Sequence, residues 1–210
     1  MNRLWMKGFA LAAGYGVFCC HAEASTNLIN FPIADILAHR EVAYSIGVSG
    51  FAQNVNKGFA WSHGVTLGCC DKGEVGITQD LLGHTVYDGK IRFVDDPKQG
   101  FAASFGIANY DADAHTNDAY LSLRKDFTKF RFHATAYRSD KVVGVFGVDF
   151  PCCCWAGAIE HVTGSDSQTW IGFTSPNFYP GLSATVASRL PWNGNSEQQY
   201  QLILNYGLRF

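Results

Sequence analysis

The chain has 210 residues with 16 Lys+Arg against 18 Asp+Glu, a net charge of −2, and is 14% aromatic with 22 glycines. That balance leaves no basic surplus to neutralise a phosphate backbone, so no nucleic-acid partner is expected. Beyond the N-terminal region there is no run of about 18 uninterrupted apolar residues, which excludes helical membrane spans.

Residues 1–24 carry Arg3 and Lys7, then an apolar stretch through Phe18, and close on Ala22-Glu23-Ala24. This is the pattern of a secretory signal peptide cut after Ala24, too short and wrongly flanked for a membrane span. Cys19 and Cys20 raise a lipoprotein signal, but Val17-Phe18 before them do not supply the small residues such a site needs. Residues 25–40 form a pre-barrel segment with Phe31, Ile33, Ile36 and Leu37. It reads equally well as a disordered leader or as a periplasmic segment that enters or caps a barrel mouth.

From residue 41 onward, Gly, Asn, Asp and Pro clusters punctuate short runs of alternating character, with no linker that would divide domains. The runs predict strands at 41–52, 58–69, 73–82, 89–95, 100–110, 117–126, 129–137, 141–150, 154–163, 168–174, 181–190 and 197–210. The fold class is therefore all-β: a closed antiparallel transmembrane β-barrel of about twelve strands, with ten also compatible, and short turns. Strands of about 9–11 tilted residues cross the hydrocarbon, and single-chain bacterial barrels have an even count.

Side chains alternate across a strand, so each run can be split into two faces. The run at 129–137 sets Phe130, Phe132, Ala134 and Ala136 against Arg131, His133, Thr135 and Tyr137. Leu121 and Leu123 oppose Tyr120, Ser122 and Arg124 in the same way. Residues 168–174 are ambiguous, with Ile171 and Phe173 competing against Trp170. The polar faces collect Glu41, Glu74, Asp80, Lys90, Arg92, Arg124, Arg131, Asp149, Glu160 and Arg189. Because both signs share strands with the apolar residues, the expected arrangement is apolar-out and charge-in, the inverse of a water-soluble barrel.

The last run completes the argument. Tyr200, Leu202, Leu204, Tyr206, Leu208 and Phe210 line one face, and the other reads Gln201, Ile203, Asn205, Gly207 and Arg209. This end resembles the C-terminal strand by which bacterial outer-membrane barrels are recognised, which makes Tyr206, Leu208 and Phe210 a candidate signal for the barrel assembly machinery. With Phe210 at the periplasm, the connections at 53–57, 83–88, 111–116, 138–140, 164–167 and 191–196 fall outside. Those at 70–72, 96–99, 127–128, 151–153 and 175–180 fall on the periplasmic rim.

Gly64-Val-Thr-Leu-Gly, Asp71-Lys-Gly-Glu-Val-Gly-Ile77, Lys90-Ile-Arg-Phe-Val-Asp-Asp96, Gly147-Val-Asp-Phe-Pro151 and Ala158-Ile-Glu-His161 resemble pieces of the YjbH-type barrel family. The resemblance covers residues 31–210 and departs at Cys69-Cys70 and Cys152-Cys153-Cys154, where Leu, Thr or Pro would be expected. It implies an outer-membrane barrel in an exopolysaccharide setting and carries over no catalytic residue.

Those five cysteines allow disulfides, since an oxidising periplasm permits them, but they more simply act as small apolar rim residues. No CxxC or CxxCH spacing is present, so neither a metal nor a haem cofactor is expected. Candidate catalytic groups are scattered: Asp111, Asp113 and His115 in one connection, His84 in another, and His161 with Ser165 near a third. No spacing brings a nucleophile to a base, and the chain is not expected to be an enzyme.

The expected function is that of a monomeric barrel among outer-membrane lipids, a small channel or envelope-associated barrel serving solute or polysaccharide passage. The alternatives are a closed structural or partner-binding barrel and, third, an outer-membrane lipid hydrolase. Width does not decide between an open and a filled lumen, because twelve strands lie between barrels that fill with side chains and those that hold water.

Overall fold

A computed structural model describes residues 27–51, 59–80, 82–112, 116–164, 167–190 and 198–210. The signal-peptide reading, the outer connections at 53–57 and 191–196, and Asp113, His115 and Ser165 lie outside the described residues.

Twelve strands follow one another: β1 (Glu41–Phe51), β2 (Ala60–Cys69), β3 (Gly73–Asp80), β4 (Thr85–Asp96), β5 (Phe101–Asp111) and β6 (Thr116–Asp126), then β7 (Arg131–Arg138), β8 (Val142–Cys152), β9 (Trp155–Val162), β10 (Gln168–Thr174), β11 (Leu182–Leu190) and β12 (Gln199–Arg209). Each pairs antiparallel with its sequence neighbours, and β1 closes on β12 from Glu41↔Arg209 to Phe51↔Gln199, so the sheet has no free edge. Closure lets backbone donors and acceptors pair within the sheet, the condition for spanning lipid with strands.

The expected strands stand within a few residues everywhere except at β4, which starts at Thr85 rather than 89. Gly83, with φ +81°, makes the reversal alone, and Asp80 accepts hydrogen bonds from the amides of Leu82 and His84 at 2.8 and 2.9 Å. With the turn closed by Asp80, the segment through Asp88 is free to join the ladder.

The pleat sorts the side chains by polarity. In β2, Trp61, Val65 and Leu67 are exposed on the outside, while Ser62 and Thr66 are buried inside. In β10 the ambiguity resolves with Trp170 at 1% exposure in the lumen and Phe173 outside. Phe105, Ile107, Phe132, Phe146, Ile159, Leu202 and Leu204 continue the outer girdle. A continuous apolar surface of this extent is costly in water and favourable in hydrocarbon.

Residues 27–40 sit inside the barrel as a short hairpin. Asn27 bridges Pro32, and the amide of Leu28 donates to Phe31 O at 3.2 Å. The chain climbs to Phe31 and descends to β1, whose start is tied to the wall by Arg40 N donating to Gly68 O at 3.3 Å. The wall makes room for it with glycine: a Cβ at Gly68 would run into the Ala38 carbonyl, and one at Gly147 into Leu28. Buried apolar contacts concentrate around this plug. Phe31 packs with Ala108, Tyr120, Tyr137, Val145 and Val162, and Ile29 with Trp170 and Ala187.

Candidate functional site

The lumen and its plug are the candidate site. At the tip of the plug, Glu160 on β9 accepts hydrogen bonds from three successive amides, those of Ile29 (3.3 Å), Asn30 (3.2 Å) and Phe31 (3.2 Å). Converging backbone N–H groups of this kind form an anion-binding concavity. Here the anion belongs to the wall and the concavity to the plug. Across the lumen, the hydroxyls of Ser122 (3.0 Å) and Thr135 (2.9 Å) both donate to Pro32 O. Lys90 donates to Ile33 O at 3.1 Å and pairs with Glu74 at 2.9 Å, and Glu74 in turn accepts from the amide of Leu37 at 2.9 Å. Burying such an ion pair is unfavourable unless its remaining hydrogen-bonding capacity is met. The plug backbone meets it. Phe31 completes the tip, edge-on to Tyr137 at 5.2 Å and 88°.

The descending limb is held by charge. Asp35 pairs with Arg124 through one oxygen and with Arg131 through the other, the latter at 3.0 Å. Each arginine also holds a carboxylate of the wall, Arg124 with Asp126 at 2.9 Å and Arg131 with Asp149 at 2.7 Å. His133 adds Nε2 to Asp149 Oδ2 at 3.0 Å. Closer to the rim, Ala38 N donates to Glu41 Oε2 at 3.0 Å and His39 N to Asp71 Oδ1 at 2.6 Å. Between the plug, through Asn27, Leu28 and Ile33, and the wall at Arg131, Asp149 and Trp155, a cavity of about 490 Å³ opens at the rim that carries the β8–β9 turn.

The remaining charges read from the sequence are placed as follows. Arg92 donates to Asp71 O at 3.2 Å and pairs with Asp95 at 2.9 Å, and Arg189 is buried beside Gln168 Oε1 at 3.4 Å. Arg131, Asp149 and Glu160 do not form one cluster. Arg131 and Asp149 meet, whereas Glu160 is taken up by the plug amides. Sequence reasoning missed Asp35, Asp88 and Asp118. Asp88 accepts from the amide of Asn109 at 3.0 Å, and Asp118 accepts from Tyr137 Oη at 2.6 Å and from Asn109 Nδ2 at 3.0 Å. A lone acid in the apolar run Ile33-Ala-Asp-Ile-Leu37 was the available signal for Asp35.

Among the described residues Cys69, Cys70, Cys152, Cys153 and Cys154 are free thiols. The two groups sit in the β2–β3 and β8–β9 turns, on opposite sides of the ring. Cys70 and Asp71 both have positive φ, at 56° and 54°, and Lys72 N donates to Cys69 O at 3.2 Å. This is the primed turn whose twist matches a hairpin, formed without its usual Asn-Gly. Among the described residues no group of three or more His, Cys, Asp or Glu is placed to hold a metal. His84 lies 3.7 Å from Asp111, and His161 bonds Thr169 at 2.9 Å.

No family model and no curated protein matches the sequence. Solved structures do match. A KdgM porin in complex with disordered oligogalacturonate superposes with a TM-score of 0.54 at 10% identity, covering 79% of this chain and 98% of the porin. The KdgM porin alone gives 0.53, with the same coverage and identity. Outer membrane phospholipase A from Escherichia coli gives 0.47 at 7% identity over 90% of this chain and 98% of its own. Closed topology, an apolar exterior and the two KdgM superpositions together give the chain the fold of an outer-membrane β-barrel.

Proposed function

We propose that this chain is a monomeric outer-membrane channel for a small solute, held shut at rest by residues 27–40. The observation that carries the reading is that Glu160, Ser122, Thr135 and Lys90 bond the backbone of a separate segment. A lumen built only to be filled satisfies its polar groups by pairing wall with wall. Here the filling, residues 27–40, belongs to none of the twelve strands, so its departure would break no strand pair of the wall. Polysaccharide is the other cargo, the one that the YjbH-type resemblance implies. Removal of residues 1–24 and recognition of Tyr206, Leu208 and Phe210 by the barrel assembly machinery complete the proposal.

Planar-bilayer recording tests it. The mature chain is expected to conduct rarely, and a Glu160→Ala/Asp35→Ala double variant to open stably. A double variant that folds but never conducts would favour the second reading, a closed structural or partner-binding barrel, which the density of bonding at the tip supports. For location, the chain should fractionate with the outer membrane and run heat-modifiably on gels, and loss of Phe210 should lower both. Recovery as a soluble periplasmic protein would overturn the membrane assignment.

A further inference from the structure

We infer that Arg124 and Arg131 form a carboxylate-binding site, that Asp35 occupies it in the resting barrel, and that a carboxylate-bearing solute competes for it. The inference rests on the plugged-channel reading and names the chemistry that would release the plug.

Three observations carry it. First, both guanidinium groups keep N–H donors beyond those that hold their wall partners. Arg131 commits Nε and Nη2 to Asp149 and offers Nη1 to Asp35. Arg124 donates Nη2 to Asp126 Oδ2, with Nε 2.9 Å from Asp126 Oδ1 as an ion pair, and offers Nη1 to Asp35. Two donors from two planar guanidinium groups therefore converge on one carboxylate, each oxygen taking one. Planar forks of this sort suit carboxylates better than point charges do. Second, the carboxylate that fills the site is not part of the wall. It arrives on the plug.

Third, the site is reachable. Arg131 is 44% exposed along its side chain and lines the cavity of about 490 Å³ that opens at the rim carrying the β8–β9 turn. Hydrogen bonding then favours exchange over simple loss. Each arginine is already matched by its own aspartate, so withdrawing Asp35 alone strands two donors in a half-buried site. Replacing it with another carboxylate leaves both the local charge and the hydrogen-bond count unchanged. The exchange lowers the barrier to release of the limb without any protonation step.

The test titrates the refolded mature chain in detergent with sodium D-glucuronate, sodium acetate and glucose, following heat. Asp35→Asn is expected to bind glucuronate at least tenfold more tightly than the parent, because the resident competitor has gone. Adding Arg131→Lys should return that affinity by tenfold or more, and glucose should give no binding. Equal affinity for acetate and glucuronate assigns the site to the carboxylate alone, and a clear preference for glucuronate assigns it to a sugar acid. An Asp35→Asn chain that binds no better than the parent, or binding unaffected by Arg131→Lys, overturns the inference. If Asp35→Asn does not refold, the parent decides. Saturating glucuronate should then increase proteinase K cleavage within residues 27–37, and sodium chloride at the same ionic strength should not. No increase overturns the inference. Binding with these dependences but without conductance in any variant would leave the site standing and remove the channel reading.

Discussion

The two limbs of the plug are held by different physics. The tip, around residues 29–32, is largely buried: side chains of the wall bond its backbone, and Phe31 and Ile29 are packed against aromatic rings. The descending limb, around Asp35, is held by ion pairs, one of whose arginines, Arg131, is 44% exposed along its side chain and lines the cavity. Buried hydrogen bonds to charged groups are worth more than ion pairs open to water, which salt screens. The tip thus supplies most of the holding energy and the limb most of the sensitivity to conditions.

Glu160→Ala should separate the two most sharply. It leaves three amides in a largely buried site without an acceptor and is expected to lower barrel stability by about 3 kcal/mol or more. The denaturant midpoint of the refolded chain reports it. A loss below about 1 kcal/mol would mean that water reaches the tip and replaces the carboxylate. Asp35→Ala should cost less, about 1–2 kcal/mol, with most of the loss disappearing when both chains are compared in molar salt. If the cost is independent of salt, the limb is held like the tip and the contrast fails.

The hydroxyl pair sharpens the picture of the tip. Ser122 and Thr135 share one acceptor, Pro32 O, and also contact each other at 2.8 Å. Ser122→Ala alone is expected to cost about 0.5 kcal/mol, and Ser122→Ala with Thr135→Val more than the two singles together. Additive losses would show that the two hydroxyls act independently. The smallest effect is expected far from the plug tip. Replacing all five described cysteines by Ser should change stability by less than about 0.5 kcal/mol, as surface substitutions do. A larger loss would show that the Cys69-Cys70 turn, which touches the limb through Cys70 N donating to His39 Nδ1 at 3.1 Å, tightens the plug.

Legibility in the sequence followed the same divide. Strand faces were readable because lipid outside and polar groups inside impose a period of two, as in Phe132 against His133. Trp170 was not, since an aromatic fits either the girdle or the lumen and only its packing on Ile29 decides. β4 was read four residues short because Gly83 and Asp88 both look like turn residues, yet Asp88 is a lumen acid bonded to Asn109. The plug was the least legible element. Glu160, Ser122 and Thr135 recognise its amides and carbonyls, and those groups are the same in every sequence.

The hydrogen bond from Ile29 to Glu160 joins residues 131 positions apart. It fastens a segment that precedes β1 to the ninth of the twelve strands, so the wall is braced through its own interior. Closing such a long loop costs little more than closing one half its length, since the entropy grows only logarithmically. The seam between β1 and β12 begins directly after this segment in the chain. The hairpin acts like a crossbar inside a cask, tying the stretch before the first stave to the ninth.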